Sequence, residues 1–444
     1  MTKHLVLGLG VTGRAVVRSL VAHGEEVVAV DDHPADAGRQ LADAMGIDLV
    51  EAPDPPRLRA LVAWAGAVVP SPGVPDHHPV FGLAQDLGVP VLSEFDLAAR
   101  WDSRPHVAIT GTNGKTTVTE LTRLMLEASG RRAVAVGNTE VPLIEAIEDP
   151  SVEVFVVEAS SFRLLHSARY APAVGTWLNL APDHLDNHAT FEAYTAAKAR
   201  IWSDQSADQV AIGNADDPVV AAHLARAPGR RVTFGLAPGA THHLDGDQLV
   251  LADGALLATT SELHRSFPHD LVNALAAAAS ALNGGGSTEG ARAALLAFQG
   301  LPHRVMLVGE AGGVRWYDDS KATAPHATRA ALRGFNSVVL IAGGRNKGLD
   351  LGELALDADR VRAVVAIGEA APQVVSAFEG IRPVRVAESM IGAVTDAASL
   401  ARAGDVVLLS PGCASFDWYG SYAERGDDFV RAVQELLAEA GSPR

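Results

Sequence analysis

The stretch Val107-Ala-Ile-Thr110-Gly111-Thr112-Asn113-Gly114-Lys115-Thr116-Thr117 narrows the choice of fold more than any other part of this chain. An apolar, β-branched run leads into a loop of small residues, and Gly-Lys-Thr-Thr then opens a helical pattern. A turn of purely structural purpose has no need of lysine and two threonines at a helix start. In such a loop backbone N–H groups surround phosphate oxygens, the lysine ammonium sits against the β/γ charge, and the next hydroxyl ligates Mg²⁺. The unit also needs a buried strand whose helix returns across a parallel sheet. It therefore predicts an α/β fold and nucleoside triphosphate binding by Gly111, Thr112, Asn113, Gly114, Lys115, Thr116 and Thr117. Ile109 stands where the general pattern begins with glycine, so the loop is a variant.

The rest of the chain keeps the same rhythm. Short apolar strands alternate with helical patterns over the first hundred residues, pause at Trp101-Asp-Ser-Arg-Pro105, and resume at the phosphate loop. A Gly/Asp-rich stretch near 235–260 reads as hairpins, an Ala-rich helix follows from Asp270, and after Gly300-Leu-Pro302 the strand–helix alternation returns. The 444 residues divide into three domains: 1–104, Rossmann-like; 105–300, a central P-loop ATPase-type domain with a mixed sheet; and 301–444, again Rossmann-like.

At the N-terminus, Gly8-Leu-Gly10-Val11-Thr12-Gly13 follows a strand and opens a helix, and Asp31-Asp32 ends the next strand. Glycines there let a diphosphate approach a helix N-terminus, and an acid can bind a ribose. The pattern alone does not separate a nicotinamide cofactor from another nucleotide, so an NAD-dependent oxidoreductase stays open. Ser71-Pro-Gly73, after another strand, joins the same crevice. Phe155-Val-Val-Glu158 puts a carboxylate at a strand end, where it can hold Mg²⁺ beside a P-loop. Asp183-His184-Leu185-Asp186-Asn187-His188 reads either as a capped helix start or as a site where His184 meets metal or phosphate. The segments with Asp318–Thr323, Gly343–Lys347 and Ser410–Ser415 follow strands, where open sheets bind ligands. Cys413 reads as a small buried residue, and His77-His78 and His242-His243 as surface turns.

Charge sharpens the reading. The formal balance of −17 argues against nucleic acid or an anionic membrane as a partner, and no apolar run reaches the span length of about eighteen residues. One cysteine rules out an intrachain disulfide and fits a cytoplasmic protein. Only five of the 36 basic residues are lysines: Lys3, Lys115, Lys198, Lys321 and Lys347. A chain that uses Arg so freely for plain positive charge marks each Lys as a place where a compact, deprotonatable amine is wanted.

Taken together, LGLGVTGRAV, SPGVP, GTNGKTT, VEASSFRL, NLAPDHLDNH, YTAAKARI, GLPHRV, DDSKAT, AGGRNKG and LSPGCASFDWYGSYAERG resemble the Mur ligase family nearly end to end, in family order. DDSKAT and SPGCASFD are similar to its glutamate-adding branch. The resemblance implies an ATP-dependent amide ligase in which ATP phosphorylates the carboxylate of UDP-N-acetylmuramoyl-L-alanine and D-glutamate attacks the acyl phosphate. It assigns the UDP substrate to Gly10, Val11, Thr12, Asp31, Asp32, Ser71, Gly73, Asn138 and Ser160, with Asn273, Arg304 and Asp319 joining the phosphate loop around ATP. It assigns D-glutamate to Lys321, Thr323, Lys347, Ser415 and Tyr422. Two Mg²⁺ would be held by Thr116, Glu158, His184 and Lys198, the last as a carbamate, and Lys115, His184 and Lys198 would be catalytic. Small-molecule substrates and a monomer are expected.

The chain departs from the family in places: Arg163 stands where Gln is common, Ala324 where Asn follows DSKAT, His33 where Arg is common, and Asn346 where Asp or Gly is usual. A ligase of altered donor or amino acid, including a folylpolyglutamate type, and a non-catalytic nucleotide-sensing scaffold are the rival readings.

Overall fold

The structure is a computed structural model that describes residues 2–183, 188 and 190–441. Its contacts group the chain into two units. One takes Met1–Leu180, Asn187–His264 and Leu271–Phe298, and the other takes Ala181–Asp186, Arg265–Asp270 and Gln299–Arg444.

The first unit holds three sheets. The N-terminal sheet is built from β1 (Lys3–Leu7), β2 (Glu26–Asp31), β3 (Asp48–Glu51) and β4 (Ala67–Pro70), in the order β3-β2-β1-β4 and parallel throughout. The strand order reverses between β1 and β4, which opens a crevice beyond their carboxyl ends. The Gly8–Gly13 turn and Ser71–Gly73 both lie there. Gly13 is demanded by packing: a Cβ on it would stand 1.9 Å from the Gly8 carbonyl oxygen and 2.5 Å from Ser71 Oγ.

The central sheet comprises β5 (His106–Thr110), β6 (Ala133–Gly137), β7 (Val154–Glu158), β8 (Val174–Trp177), β9 (Val210–Asn214) and β10 (Arg230–Phe234), in the order β10-β9-β8-β5-β7-β6. All of its pairings are parallel. The mixed sheet expected of this stretch is thus divided: antiparallel pairing sits in a separate three-stranded sheet of β11 (His243–Asp245), β12 (Gln248–Val250) and β13 (Leu256–Thr259), the hairpins read near 235–260. The reason is local, because connections of a few residues permit only antiparallel pairing. The Ala-rich helix Pro268–Asn283 is core packing, with Ala274–Ala279 buried. His242 corrects the surface-turn reading; it is 2% exposed, and burial lowers its pKa.

One apolar cluster joins the N-terminal and central sheets, running from Val6 and Leu20 to Phe155, Trp177 and Ile201. Burial of a large apolar side chain contributes about 2 kcal/mol, so this shared cluster fixes how the two sheets pack.

The second unit carries β14 (Met306–Ala311), β15 (Val314–Asp318), β16 (Val338–Gly343), β17 (Val361–Ile367), β18 (Val384–Ala387) and β19 (Val406–Leu409), in the order β14-β15-β19-β16-β17-β18. Only β14 with β15 is antiparallel. Because β15, β19 and β16 are parallel neighbours, the segments after Asp318, Leu409 and Gly343 emerge side by side. Among the described residues no helix is long and apolar enough to cross a membrane.

Candidate active site

The phosphate loop is shaped by its glycines and by distant partners. Gly114 caps the helix Lys115–Ala128 at φ 82°, and a Cβ there would stand 2.6 Å from Asn273 Oδ1. Glycine is therefore required twice over, by backbone angle and by the close approach of Asn273. Among the described residues no side chain caps this helix, so its first N–H groups face the loop. Lys115 Nζ donates to the carbonyl oxygens of Gly111 at 2.8 Å and Thr112 at 3.0 Å. Lys198, 1% exposed on the helix Phe191–Ser203, reaches the same Gly111 oxygen at 2.7 Å.

Two braces of this loop escape any local reading. Asn179 Oδ1 accepts from the backbone N–H groups of Thr112 and Asn113, at 3.1 and 2.8 Å. The Tyr194 hydroxyl is 3.1 Å from Thr112 Oγ1, and its ring lies beneath Lys198 with Nζ 4.6 Å from the centroid. NLAPDH and YTAAK contained both signals, but nothing in spacing alone aims either side chain at residue 112.

Glu158 ends β7 beside β5, opposite Ile109 in register. It is 3% exposed; Asn138 Nδ2 donates to its Oε1 at 2.9 Å, while Oε2 is buried with no hydrogen-bond partner among the described residues. A buried carboxylate oxygen without a donor is costly, and this one fits a cation ligand. Asn138 is thereby placed as a support for Glu158. Thr116 and Thr117 occupy the first helical turn above the loop. His184 lies outside the described residues.

In the N-terminal crevice, Asp31 is engaged by the backbone: Leu9 N–H donates to Oδ2 at 2.6 Å and His33 N–H to Oδ1 at 2.9 Å. The aspartate read as a ribose ligand thus braces the Gly-rich turn. Asp32 faces outward, 3.2 Å from His78 Nε2, on the wall of a cavity of about 620 Å³ that Pro53, Pro55, Leu58 and Pro79 make largely apolar. His78 is more than a surface turn, because its Nδ1 also accepts from Val80 N–H. Ser71 Oγ donates to the Gly8 carbonyl at 2.7 Å, and the helix at Val11–Ala22, entered from Gly10 with Thr12 inside its first turn, has no side-chain cap. Gly73 follows Ser71 in the same loop, and Ser160 accepts the Arg163 N–H at 3.4 Å.

The second unit gathers its own cluster. Lys321 Nζ donates to the Tyr422 hydroxyl at 2.8 Å. Burial pushes the Asp319 carboxyl up to about 7, while Ser410 Oγ, donating at 2.7 Å, and the Arg304 charge pull the other way. Arg304 is flanked by two residues with left-handed backbone, His303 at φ 59° and Val305 at φ 48°. His303 Nδ1 lies 2.7 Å from Asp318 Oδ2. Arg425, 1% exposed, ties the cluster together, donating to Ser320 Oγ, the Ser320 carbonyl and the Cys413 carbonyl at 2.9, 2.8 and 3.1 Å. It was missed as a site residue because its partners are distant in sequence. Cys413 is buried as expected, and its thiol is pushed up to about 12. Ser415 is buried, Thr323 half-buried, and Lys347 stands exposed on the segment after β16.

A phosphate loop on a parallel sheet, a Gly-rich crevice before it and a lysine–tyrosine cluster after it define a nucleotide-dependent, multidomain ligase architecture. The chain belongs to the Mur ligase family: the Mur ligase MurD-like N-terminal domain matches residues 2–93, the Mur ligase middle domain 109–281, and the Mur ligase glutamate ligase domain 303–413. It is 45% identical to the UDP-N-acetylmuramoylalanine–D-glutamate ligase of Frankia casuarinae, over 97% of this chain and 93% of that one. The enzyme of the same name from Thermobifida fusca is 40% identical, over 97% and 98%. Among solved structures, a MurF ligase from Thermotoga maritima in complex with ADP shares the fold at TM-score 0.62 and 18% identity, over 94% of this chain and 96% of that one. A UDP-N-acetylmuramate-alanine ligase from the same organism does so at 0.58 and 19%, over 98% and 100%.

Proposed function

We propose that the chain is an ATP-dependent ligase that joins D-glutamate to UDP-N-acetylmuramoyl-L-alanine through an acyl phosphate. The observation that carries this reading is the meeting of Lys115 and Lys198 on Gly111 next to the half-satisfied Glu158. Similarity along nearly the whole chain to ligases of that name supports the two substrates.

A carboxylate is a poor acyl donor, and phosphorylation supplies the leaving group. In this reading one donor carboxylate oxygen attacks the γ-phosphorus and ADP leaves. The D-glutamate amine then attacks the acyl carbon, and phosphate departs with that donor oxygen. Lys115, the loop N–H groups and Asn273 orient the triphosphate, and Arg304 and Asp319 add contacts to ATP. Lys321, Thr323, Lys347, Ser415 and Tyr422 hold D-glutamate, and cationic side chains stabilise the developing charge. The N-terminal crevice takes the diphosphate at Gly10, Val11 and Thr12, and the apolar cavity beside Asp32 offers a face to the uracil.

Thr116 and Glu158 are the residues that would hold Mg²⁺, which neutralises phosphate charge when bound. Among the described residues no three His, Cys, Asp or Glu side chains gather as a ready-made metal site. In this reading one Mg²⁺ is held by Glu158, the Thr116 hydroxyl and phosphate oxygens. Lys198 is a hydrogen-bond donor as it stands, and an ammonium ligates no cation. It serves a second Mg²⁺, with His184, only as a carbamate, formed when its neutral amine attacks CO₂ and loses a proton. Residues 1–104, 105–300 and 301–444 are assigned to donor, ATP and amino acid in that order. The reading places the enzyme in the cytoplasm, acting as a monomer on small molecules with neither nucleic acid nor membrane.

Phosphate release tests it. Release above background only with ATP, Mg²⁺, the UDP-sugar and D-glutamate together supports the reading, and no release overturns it.

A further inference from the structure

The short helix Ser161–Leu165 starts soon after Glu158 and is bound by two ties to helices and a loop around the N-terminal sheet. In the first, Arg163, 7% exposed, pairs through Nη1 with Glu94 and donates from Nη2 to Thr12 Oγ1 at 3.0 Å. The second oxygen of Glu94 accepts from Ile144 N–H at 3.0 Å, so the carboxylate is anchored on both sides. Thr12 sits in the first turn of the helix that follows the Gly-rich loop.

In the second tie, His188 stacks on Phe162 at 5.2 Å between ring centroids with 5° between planes, and its Nε2 is 2.9 Å from Ser161 Oγ. Its Nδ1 lies 3.4 Å from Asp76 Oδ2, in the loop that carries Ser71 and Gly73. One short helix therefore grips both loops at the carboxyl ends of β1 and β4, and the chain leads straight back from it to Glu158.

We propose that Arg163 and His188 are positioning residues for the UDP-sugar donor: they hold the Gly8–Gly13 turn and the Ser71–Asp76 loop in register with Glu158, so that the donor carboxylate is delivered to the phosphoryl-transfer site. The inference rests on the donor reading above. Chemistry favours arginine for the first tie, because a planar guanidinium serves Glu94 and Thr12 with different nitrogens, which a lysine ammonium on one flexible stem does not reproduce. Neither residue is assigned a contact with the reacting atoms.

The test uses the full-length chain with Arg163→Lys, Glu94→Gln and His188→Phe. Binding of UDP-N-acetylmuramoyl-L-alanine and, separately, of ATP–Mg²⁺ is measured by titration calorimetry, with thermal melts alongside. R163K keeps a cation beside Glu94, E94Q takes the charge out of the same pair from its other end should R163K not fold, and H188F keeps the stack on Phe162 without the nitrogens. Loss of one oriented contact to a donor loop predicts donor affinity down about tenfold in each variant, with ATP affinity held within about twofold. Donor affinity unchanged in the variants, or donor and ATP affinity falling in parallel, overturns the proposal. A wild-type chain that binds no UDP-sugar overturns the donor reading itself, and this inference falls with it.

Discussion

Lys115 and Lys198, far apart in sequence, donate to one carbonyl oxygen, that of Gly111, at 2.8 and 2.7 Å. The Lys115 ammonium puts positive charge where a chain of net charge −17 has to receive anions, and Lys198 reaches the same oxygen as the amine that would take up CO₂. The helix N-terminus at Gly114 adds to the same field. Lys321 does comparable work in the second unit against Tyr422, whereas Lys3 only overlies the Trp64 ring at 5.3 Å.

Lys198→Ala is expected to lower turnover by at least about 10²-fold, the scale of removing one preorganised charge from a transfer site. Lys198→Arg keeps the charge, accepts no CO₂, and fails equally. Partial recovery of the alanine variant by a short carboxylic acid identifies the carbamate; equal activity of the arginine variant and wild type refutes it.

Glu158→Gln retains a partner for Asn138 and removes the anionic oxygen. The Mg²⁺ concentration giving half-maximal phosphate release should rise at least about tenfold, since a charged ligand is exchanged for a weak neutral one. Chelation of divalent cations should stop release in the wild type.

Burial raises Asp319 to about 7 from the ordinary 3.8. Below about pH 4 both folded and unfolded chains hold the proton, and between about pH 4 and pH 7 only the folded state keeps it. The stability it contributes is present at low pH and is lost as pH rises through about 7. Asp319→Asn stays neutral, so wild-type melting temperature relative to this variant should fall between about pH 4 and pH 8. A constant difference contradicts the assignment.

Local chemistry was legible in the sequence. GTNGKTT writes strand, loop and helix within a few residues, and it is built that way. DDSKAT, AGGRNKG and SPGCAS share one sheet edge because β15, β19 and β16 are adjacent. Roles set by distant partners were not legible. Asp31 also accepts from Leu9 N–H, a support for the Gly-rich turn that its place in the chain does not show, and nothing near Asn179 in the chain announces Thr112. Arg163 stood out as a departure from the family, but its bond to Thr12 exists only where two sheets pack.

Arg425 makes its case by geometry. Its three bonds to Ser320 and Cys413 hold the loops that carry Lys321 and Ser415. Arg425→Met should cost about 3 kcal/mol, because buried acceptors lose a charged donor. At temperatures where the variant remains folded, KM for D-glutamate should rise with KM for ATP unchanged, read from denaturant curves and initial rates.

Transfer of heavy oxygen from the donor to phosphate tests the central claim most directly. UDP-N-acetylmuramoyl-L-alanine labelled in its free carboxylate is turned over with ATP, Mg²⁺ and D-glutamate, and the released phosphate is weighed by mass spectrometry. The account predicts one labelled oxygen in each phosphate, released only when D-glutamate is present. Unlabelled phosphate, or release indifferent to the amino acid, would contradict it.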